Sequence, residues 1–232
     1  SCVFSGCSSL TEISIPSSVT SFGIYIFDGV KELKIIGSIQ TLPSKLFEKC
    51  SSITKIAIPS SVKSIGDHAF SECESLVEVS IPSSVTSIGN YSFSRCYALS
   101  KMSIPSSIIS IGNYAFSECT TLVEISIPSS VTSIGNHAFS GCSALPKISI
   151  PSSVTTIEDY LFSECLALKE ISIQSSLLKI GNFVFNECSS IEEIIIPSTV
   201  QQIGDCLFKK CKSLKKIELQ SSLKSIGKQT FE

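Results

Sequence analysis

The chain has 232 residues, 16% of them charged, with a formal net charge of −2. Such a balance gives no general attraction to nucleic acid or to an anionic membrane, and the apolar residues never run on for the ~20 positions that a membrane-spanning helix needs. Eleven cysteines make the composition unusual.

In chain order, Phe4 and Phe27 stand 23 residues apart, Phe27 and Phe47 only 20, and the period of 23 then holds through Phe70, Phe93, Phe116, Phe139, Phe162, Phe185, Phe208 and Phe231. A fixed period in this range signals a solenoid, whose coils share a thin continuous core. In the short unit Leu42, Ile39, Ile35 and Leu33 take the places of Ile65, Val62, Ile58 and Ile56, and Val30 that of Ile53. The missing piece is the Cys-x-x triplet. The chain begins and ends within a repeat, so it reads as one domain over residues 1–232, a fragment of a longer array.

Within the unit ending at Phe139, Leu122-x-x-Ile125-x-Ile127 alternates with period two, which predicts a short strand with Ile125 and Ile127 inward. Pro128 stops it, Val131 and Ile134 return to the core, and Gly135 permits a tight corner. Asn136 and its equivalents Asp67, Asn90, Asn113, Asp159, Asn182 and Asp205 are placed to cap a short helical turn. The spacing of three from Phe139 through Cys142 to Leu145 predicts that this outer turn is 3₁₀-like or briefly α-helical.

The pattern Leu-x-x-Ile-x-Ile-Pro-x-x-Val-x-x-Ile-Gly-x-x-Ala-Phe-x-x-Cys resembles the BspA-like class of leucine-rich repeat over essentially the whole chain. Departures are local: Glu158 and Pro43 replace the corner glycine, and Gln174 and Gln220 replace the proline. The resemblance implies a right-handed superhelix of about ten coils with a strand face and short 3₁₀ or helical turns outside. It also implies an extracellular or cell-surface protein attaching to host matrix proteins, host cells or other microbes.

In a parallel stack each register position becomes a column of residues about 4.8 Å apart. On the strand face one column runs Glu12, Glu32, Lys55, Glu78, Lys101, Glu124, Lys147, Glu170, Glu193, Lys216. From Lys55 to Glu170 its sign alternates, which predicts an ion ladder fixing coil register, with a ligand-reading pattern as the weaker alternative. Beside it lies a flat column of small residues from Ser80 to Ser172, which suits docking of a broad protein and equally suits close packing of the strands. Two residues before each repeat phenylalanine stand Tyr25, Lys45, His68, Tyr91, Tyr114, His137, Tyr160, Phe183, Cys206 and Gln229. An aromatic strip of this kind, exposed on an outer flank, binds sugars or acts as a protein hot spot, while self-stacking that stiffens the coil is its structural role.

Cys7, Cys50, Cys73, Cys96, Cys119, Cys142, Cys165, Cys188 and Cys211 share one core-facing position and read as small hydrophobes with free thiols, since inward parallel side chains seldom reach disulfide geometry. Cys2 and Cys206 fall in the aromatic register and are the expected reactive exceptions. No zinc site is expected, because the column has neither Cys-x-x-Cys nor a nearby histidine. His68 and His137, three coils apart and hence about 14 Å, cannot share a catalytic centre. No Gly-x-Ser-x-Gly elbow, phosphate loop or zincin helix is present. The basic stretch from Lys209 to Lys228 lacks interleaved aromatics and reads as a solvated end. Asn90-Tyr91-Ser92 is a sequon that would make Asn90 a glycan acceptor in a eukaryotic secretory pathway.

These residues predict a non-catalytic binding module without cofactor or metal, whose partners are proteins or glycoproteins and not nucleic acid. The alternative is an intracellular interaction scaffold, in keeping with the unoxidised look of the cysteine column.

Overall fold

The structure, a computed structural model, describes residues 3–16, 18–19, 22–174, 176–219 and 222–230. The expectations for Cys2, Gln220 and Phe231 lie outside these residues. The chain winds into a β-solenoid of about nine turns, close to the ten expected from the repeat.

The strands in chain order are β1 (Glu12–Ser14), β2 (Glu32–Ile36), β3 (Thr41–Leu42), β4 (Lys55–Ala57), β5 (Ser64–Ile65), β6 (Glu78–Ser80), β7 (Ser87–Ile88), β8 (Lys101–Ser103), β9 (Ser110–Ile111) and β10 (Glu124–Ser126). They continue as β11 (Ser133–Ile134), β12 (Lys147–Ile150), β13 (Thr156–Ile157), β14 (Glu170–Ile173), β15 (Lys179–Ile180), β16 (Glu193–Ile196), β17 (Gln202–Ile203), β18 (Lys216–Leu219) and β19 (Ser225–Ile226). β1 and the even-numbered strands form the strand face, paired in parallel as β1-β2-β4-β6, β8-β10, β12-β14 and β16-β18. The short odd-numbered strands form a second ladder at a corner, β3-β5-β7-β9-β11 and β13-β15-β17-β19. Strand alternation turns Ile125 and Ile127 inward, and Val131, Ile134, Ala138, Phe139 and Cys142 complete the buried set of that coil.

The phenylalanines stack along the axis from Phe4 to Phe208, neighbouring ring centroids lying 5.1–5.9 Å apart. From Phe70 to Phe185 each ring thus loses both faces to its neighbours, which makes the column one hydrophobic rod; Phe27 and Phe47, at the short unit, are tilted by 36°. The corner serines close the remaining backbone groups. The hydroxyls of Ser84, Ser107 and Ser130 each donate to the carbonyl of the inward residue one coil earlier, at 2.6 Å.

Three expectations are corrected. The outer segment contains turns and no helix among the described residues. His68, Glu72 and their equivalents adopt left-handed backbone, φ 56° and 60°, which breaks helical continuity. The N–H groups of His68, Phe70 and Glu72 donate to Asn90, Ser92 and Ser94 of the next coil at 2.8 Å, while those of Ala69, Ser71 and Cys73 close local turns. Alternate amides therefore serve the stack and the turn. The Asn/Asp column, in turn, does not cap a helix: each Oδ1 accepts the N–H of its counterpart in the following coil, as Asn90 does from Asn113 and Asn113 from Asn136, both at 2.8 Å.

The corner glycine also acts differently from a turn residue. Gly135 needs no left-handed φ; a Cβ there would lie 2.5 Å from the backbone nitrogen of Asn113. Close approach between coils demands glycine. At the short unit, Glu12 faces Lys34 and not Glu32, with Ile13 opposite Ile35. A slide of two residues keeps the inward set inward and replaces a like-charge contact with an ion pair of 3.2 Å.

Candidate binding surface

The outer flank is built by the left-handed turn position. Tyr25, His68, Tyr91, Tyr114, His137, Tyr160 and Phe183 all occupy it, with φ between 55° and 59°. A non-glycine residue there costs on the order of 1 kcal/mol, and glycine would avoid the cost. Rings are retained nonetheless, and what offsets the strain is visible in their packing. His68, Tyr91, Tyr114, His137, Tyr160 and Phe183 form one continuous stack, with centroids 4.3–4.7 Å apart and planes within 9° of parallel. Tyr25 stands outside it, separated by Lys45, and carries the Lys49 ammonium 6.0 Å above its ring.

The strip is therefore half-buried, unlike the exposed strip expected from the register. From Tyr91 to Tyr160 each ring meets another on both faces, so a sugar has no free face of these four to stack on; what solvent meets there is a row of ring edges and polar tips. Desolvation lowers the His137 pKa below its ordinary value, outweighing Asp159, and raises that of Tyr114. Both are neutral at pH 7. The two histidines are held apart by Tyr91 and Tyr114 and cannot act on one substrate atom.

A second column escaped the sequence reading. Two residues after each phenylalanine stand Lys49, Glu72, Arg95, Glu118, Gly141, Glu164, Glu187 and Lys210, again all left-handed. Ion pairs link Lys49 to Glu72 at 3.7 Å, Arg95 to Glu118 at 3.1 Å and Lys210 to Glu187 at 2.6 Å. The 23-residue register applied at this offset would have exposed it. On the strand face the predicted ladder is present in pairs: Lys55 with Glu78 and Lys101 with Glu124, both at 3.0 Å. Lys147 and Glu170 stand opposite in register but make no ion pair within 4.0 Å among the described residues. The exposed pairs contribute ~0.2–1 kcal/mol each.

From Cys73 to Cys211 each Sγ of the cysteine column lies 3.0–3.2 Å from the carbonyl oxygen of the phenylalanine one coil earlier, placed to donate to it. Burial pushes the thiol pKa up to about 12 at Cys50 and Cys119 and about 11 at Cys211. These thiols stay protonated and unreactive at neutral pH. Cys7, expected in the core, is exposed, because no described coil covers its outer side. Cys206, expected to be reactive, is 4% exposed and packs toward Gln229. Among the described residues no cluster of three or more metal-ligating side chains forms, and no helix is long and apolar enough to cross a membrane.

The sequon at Asn90 is folded into the stack. Asn90 Oδ1 accepts from Asn113, and Ser92 is fully buried with its hydroxyl donating to Gly89 at 2.6 Å.

A parallel solenoid with repeated surfaces is, as a class, typically a non-catalytic scaffold for binding proteins. The chain belongs to the BspA-type leucine-rich repeat family, whose profile matches residues 1–123, 40–165 and 109–232. A leucine-rich repeat protein of T. pallidum is 30% identical, with a TM-score of 0.62, covering 78% of this chain and 77% of its own. The pneumococcal vaccine antigen PcpA shares the fold at 20% identity and a TM-score of 0.58, over 94% of this chain and 68% of its own. A leucine-rich repeat protein of Eubacterium ventriosum does so at 21% identity and 0.51, over 92% and 80%. No curated protein matches the chain.

Proposed function

We propose that this chain is one domain of a non-catalytic adhesin, presented at the cell surface and engaging proteins or glycoproteins of host matrix, host cells or other microbes. The observation that carries the reading is the six-ring outer stack: aromatic side chains kept at strained positions, with edges and polar tips aligned along more than 20 Å of one flank by the ~4.8 Å coil spacing. Such a row is rigid before binding, so little side-chain entropy is lost on docking. A glycoprotein's sugars are met through hydrogen bonds to the ring tips. Candidate contacts are Tyr91, Tyr114, His137 and Tyr160, with the strand-face charges secondary because their alternation cancels any long-range field.

The seven buried thiols of the column favour a second reading, a scaffold in a reducing compartment. The two are separated by measuring binding of the purified chain to immobilised matrix proteins, host-cell surfaces and glycans at physiological salt. Adhesion predicts saturable binding to at least one surface; absence on all of them would abandon adhesion for the scaffold.

A further inference from the structure

One junction between coils differs from its neighbours. Between the coil of β10 and β11 and the coil of β12 and β13, neither ladder is hydrogen-bonded: β10 pairs with β8 and β12 with β14, while the corner ladder stops at β11 and restarts at β13. The strand face is also interrupted between β6 and β8 and between β14 and β16. There, however, the corner ladder runs through from β7 to β9 and from β15 to β17.

Glu158 sets this junction apart at the corner, while on the strand face Pro146 removes a donor that Ser100 and Glu192, at the same place in the other two interrupted coils, still carry. Pro146 holds the place of Val123 and Lys169, whose N–H groups reach the preceding coil at 2.8 and 2.9 Å; proline has none to give. Glu158 holds the place of the corner glycine. A Cβ at Gly135 would meet the Asn113 nitrogen at 2.5 Å, and one at Gly181 the Asp159 nitrogen at 2.8 Å. A side chain at this position cannot approach the previous coil as glycine does. Accordingly, Thr132 and Gly135 donate to Ile109 and Ile111 at 2.9 Å, and Leu178 and Gly181 to Thr155 and Ile157 at 2.8 Å. Among the described residues, the amides of Thr155 and Glu158 reach no backbone acceptor in the coil before them.

The core continues across the junction: the Phe139–Phe162 spacing of 5.8 Å lies between the 5.9 and 5.7 Å of the two pairs that follow it, so the opening is confined to the two ladders. At the corner the Ser153 hydroxyl still reaches the Val131 carbonyl. What holds best is the outer flank. His137 stacks on Tyr160 at 4.4 Å and Gly141 donates to Ser163 at 2.8 Å, although His137 and Phe139 donate across at 3.1 Å, longer than the 2.8 Å of Tyr91 and Phe93.

We propose that this junction is a one-sided hinge, opening on the strand face and corner about the continuous aromatic flank, and dividing the array into two cooperative blocks, residues 3–142 and 145–230. In a chain of nearest-neighbour contacts the weakest interface sets where opening begins. A partner on the flank crosses the hinge along its axis; one on the strand face meets two halves whose relative angle changes.

Hydrogen exchange of the 232-residue protein tests this. The amides of Thr155 and Glu158 are expected to exchange at least about tenfold faster than those of Thr132 and Gly135. In Glu158→Gly the corner ladder closes and that gap falls below about threefold, and in Pro146→Val/Glu158→Gly two unfolding transitions merge into one. Equal protection in the unmodified protein, or a gap that Glu158→Gly leaves unchanged, would overturn the hinge.

Discussion

Phe93 lies fully buried between Phe70 at 5.1 Å and Phe116 at 5.3 Å, with their planes within 11° of its own. Phe93→Ala removes a ring from the middle of the rod. Core Phe→Ala substitutions cost about 3–5 kcal/mol, of which part is the cavity left behind. Collapse is resisted here, because Phe70 and Phe93 each donate a backbone hydrogen bond of 2.8 Å across the coil on their side of the ring. Two stacked pairs are also lost, at about 0.5–1.5 kcal/mol each beyond area burial. Those contributions overlap, and the upper half of the range, about 4–5 kcal/mol, follows. Since each coil touches only its neighbours, the damage should concentrate at this point of the N-terminal block. Urea unfolding followed by circular dichroism should show an early transition, with amide protection lost first in the coils of Phe70 to Phe116. A loss below about 2 kcal/mol, or unfolding transitions with the number and slopes of the unmodified protein, would refute the argument.

Three further outcomes are expected. Gly112→Ala places a Cβ 2.7 Å from backbone atoms of Gly89 and Asn90, and should lower stability by about 1–3 kcal/mol in urea unfolding. Asn113→Ala strands the Asn136 amide that now bonds at 2.8 Å, for about 1 kcal/mol, whereas Asn113→Asp retains the acceptor and most of that stability. The buried thiols have folded pKa values near 12, at Cys50 and Cys119, above the ordinary value of 9.0. Their contribution is complete below pH 9 and lost as pH rises toward 12, so the urea midpoint should fall across that window, and native alkylation at pH 8 should label Cys7 well before the column.

Much of this fold was legible because one period fixes many positions at once: the phenylalanine register placed the core, the strand face and the aromatic column. The outer turn was not. A spacing of three from Phe139 to Cys142 suits a helix and a run of left-handed turns equally, and only the backbone shows that alternate amides leave for the next coil. The Asn136 column looked like a capping residue for the same reason, since a side-chain acceptor near a turn does not announce which coil supplies its donor. Cys206 was misplaced by trusting the register of its column over its own apolar character. The charge column at Glu72 and Arg95 was visible at its offset and went unseen because the turn that displays it was not anticipated. Glu158 was seen as a local departure, but its consequence depends on how closely two coils approach, which sequence does not state.

The claim that recognition runs through the outer stack is tested most directly on a surface that binds the chain, by comparing Tyr91→Ala/Tyr114→Ala/Tyr160→Ala with Lys101→Ala/Lys147→Ala at physiological salt, both checked for unaltered folding. Removal of three aligned rings should weaken binding at least about a hundredfold, as expected for hot-spot aromatics, and removal of the two strand-face lysines less than about tenfold. Equal losses, or a larger loss from the lysine pair, would contradict recognition by the flank and place the binding surface on the strands.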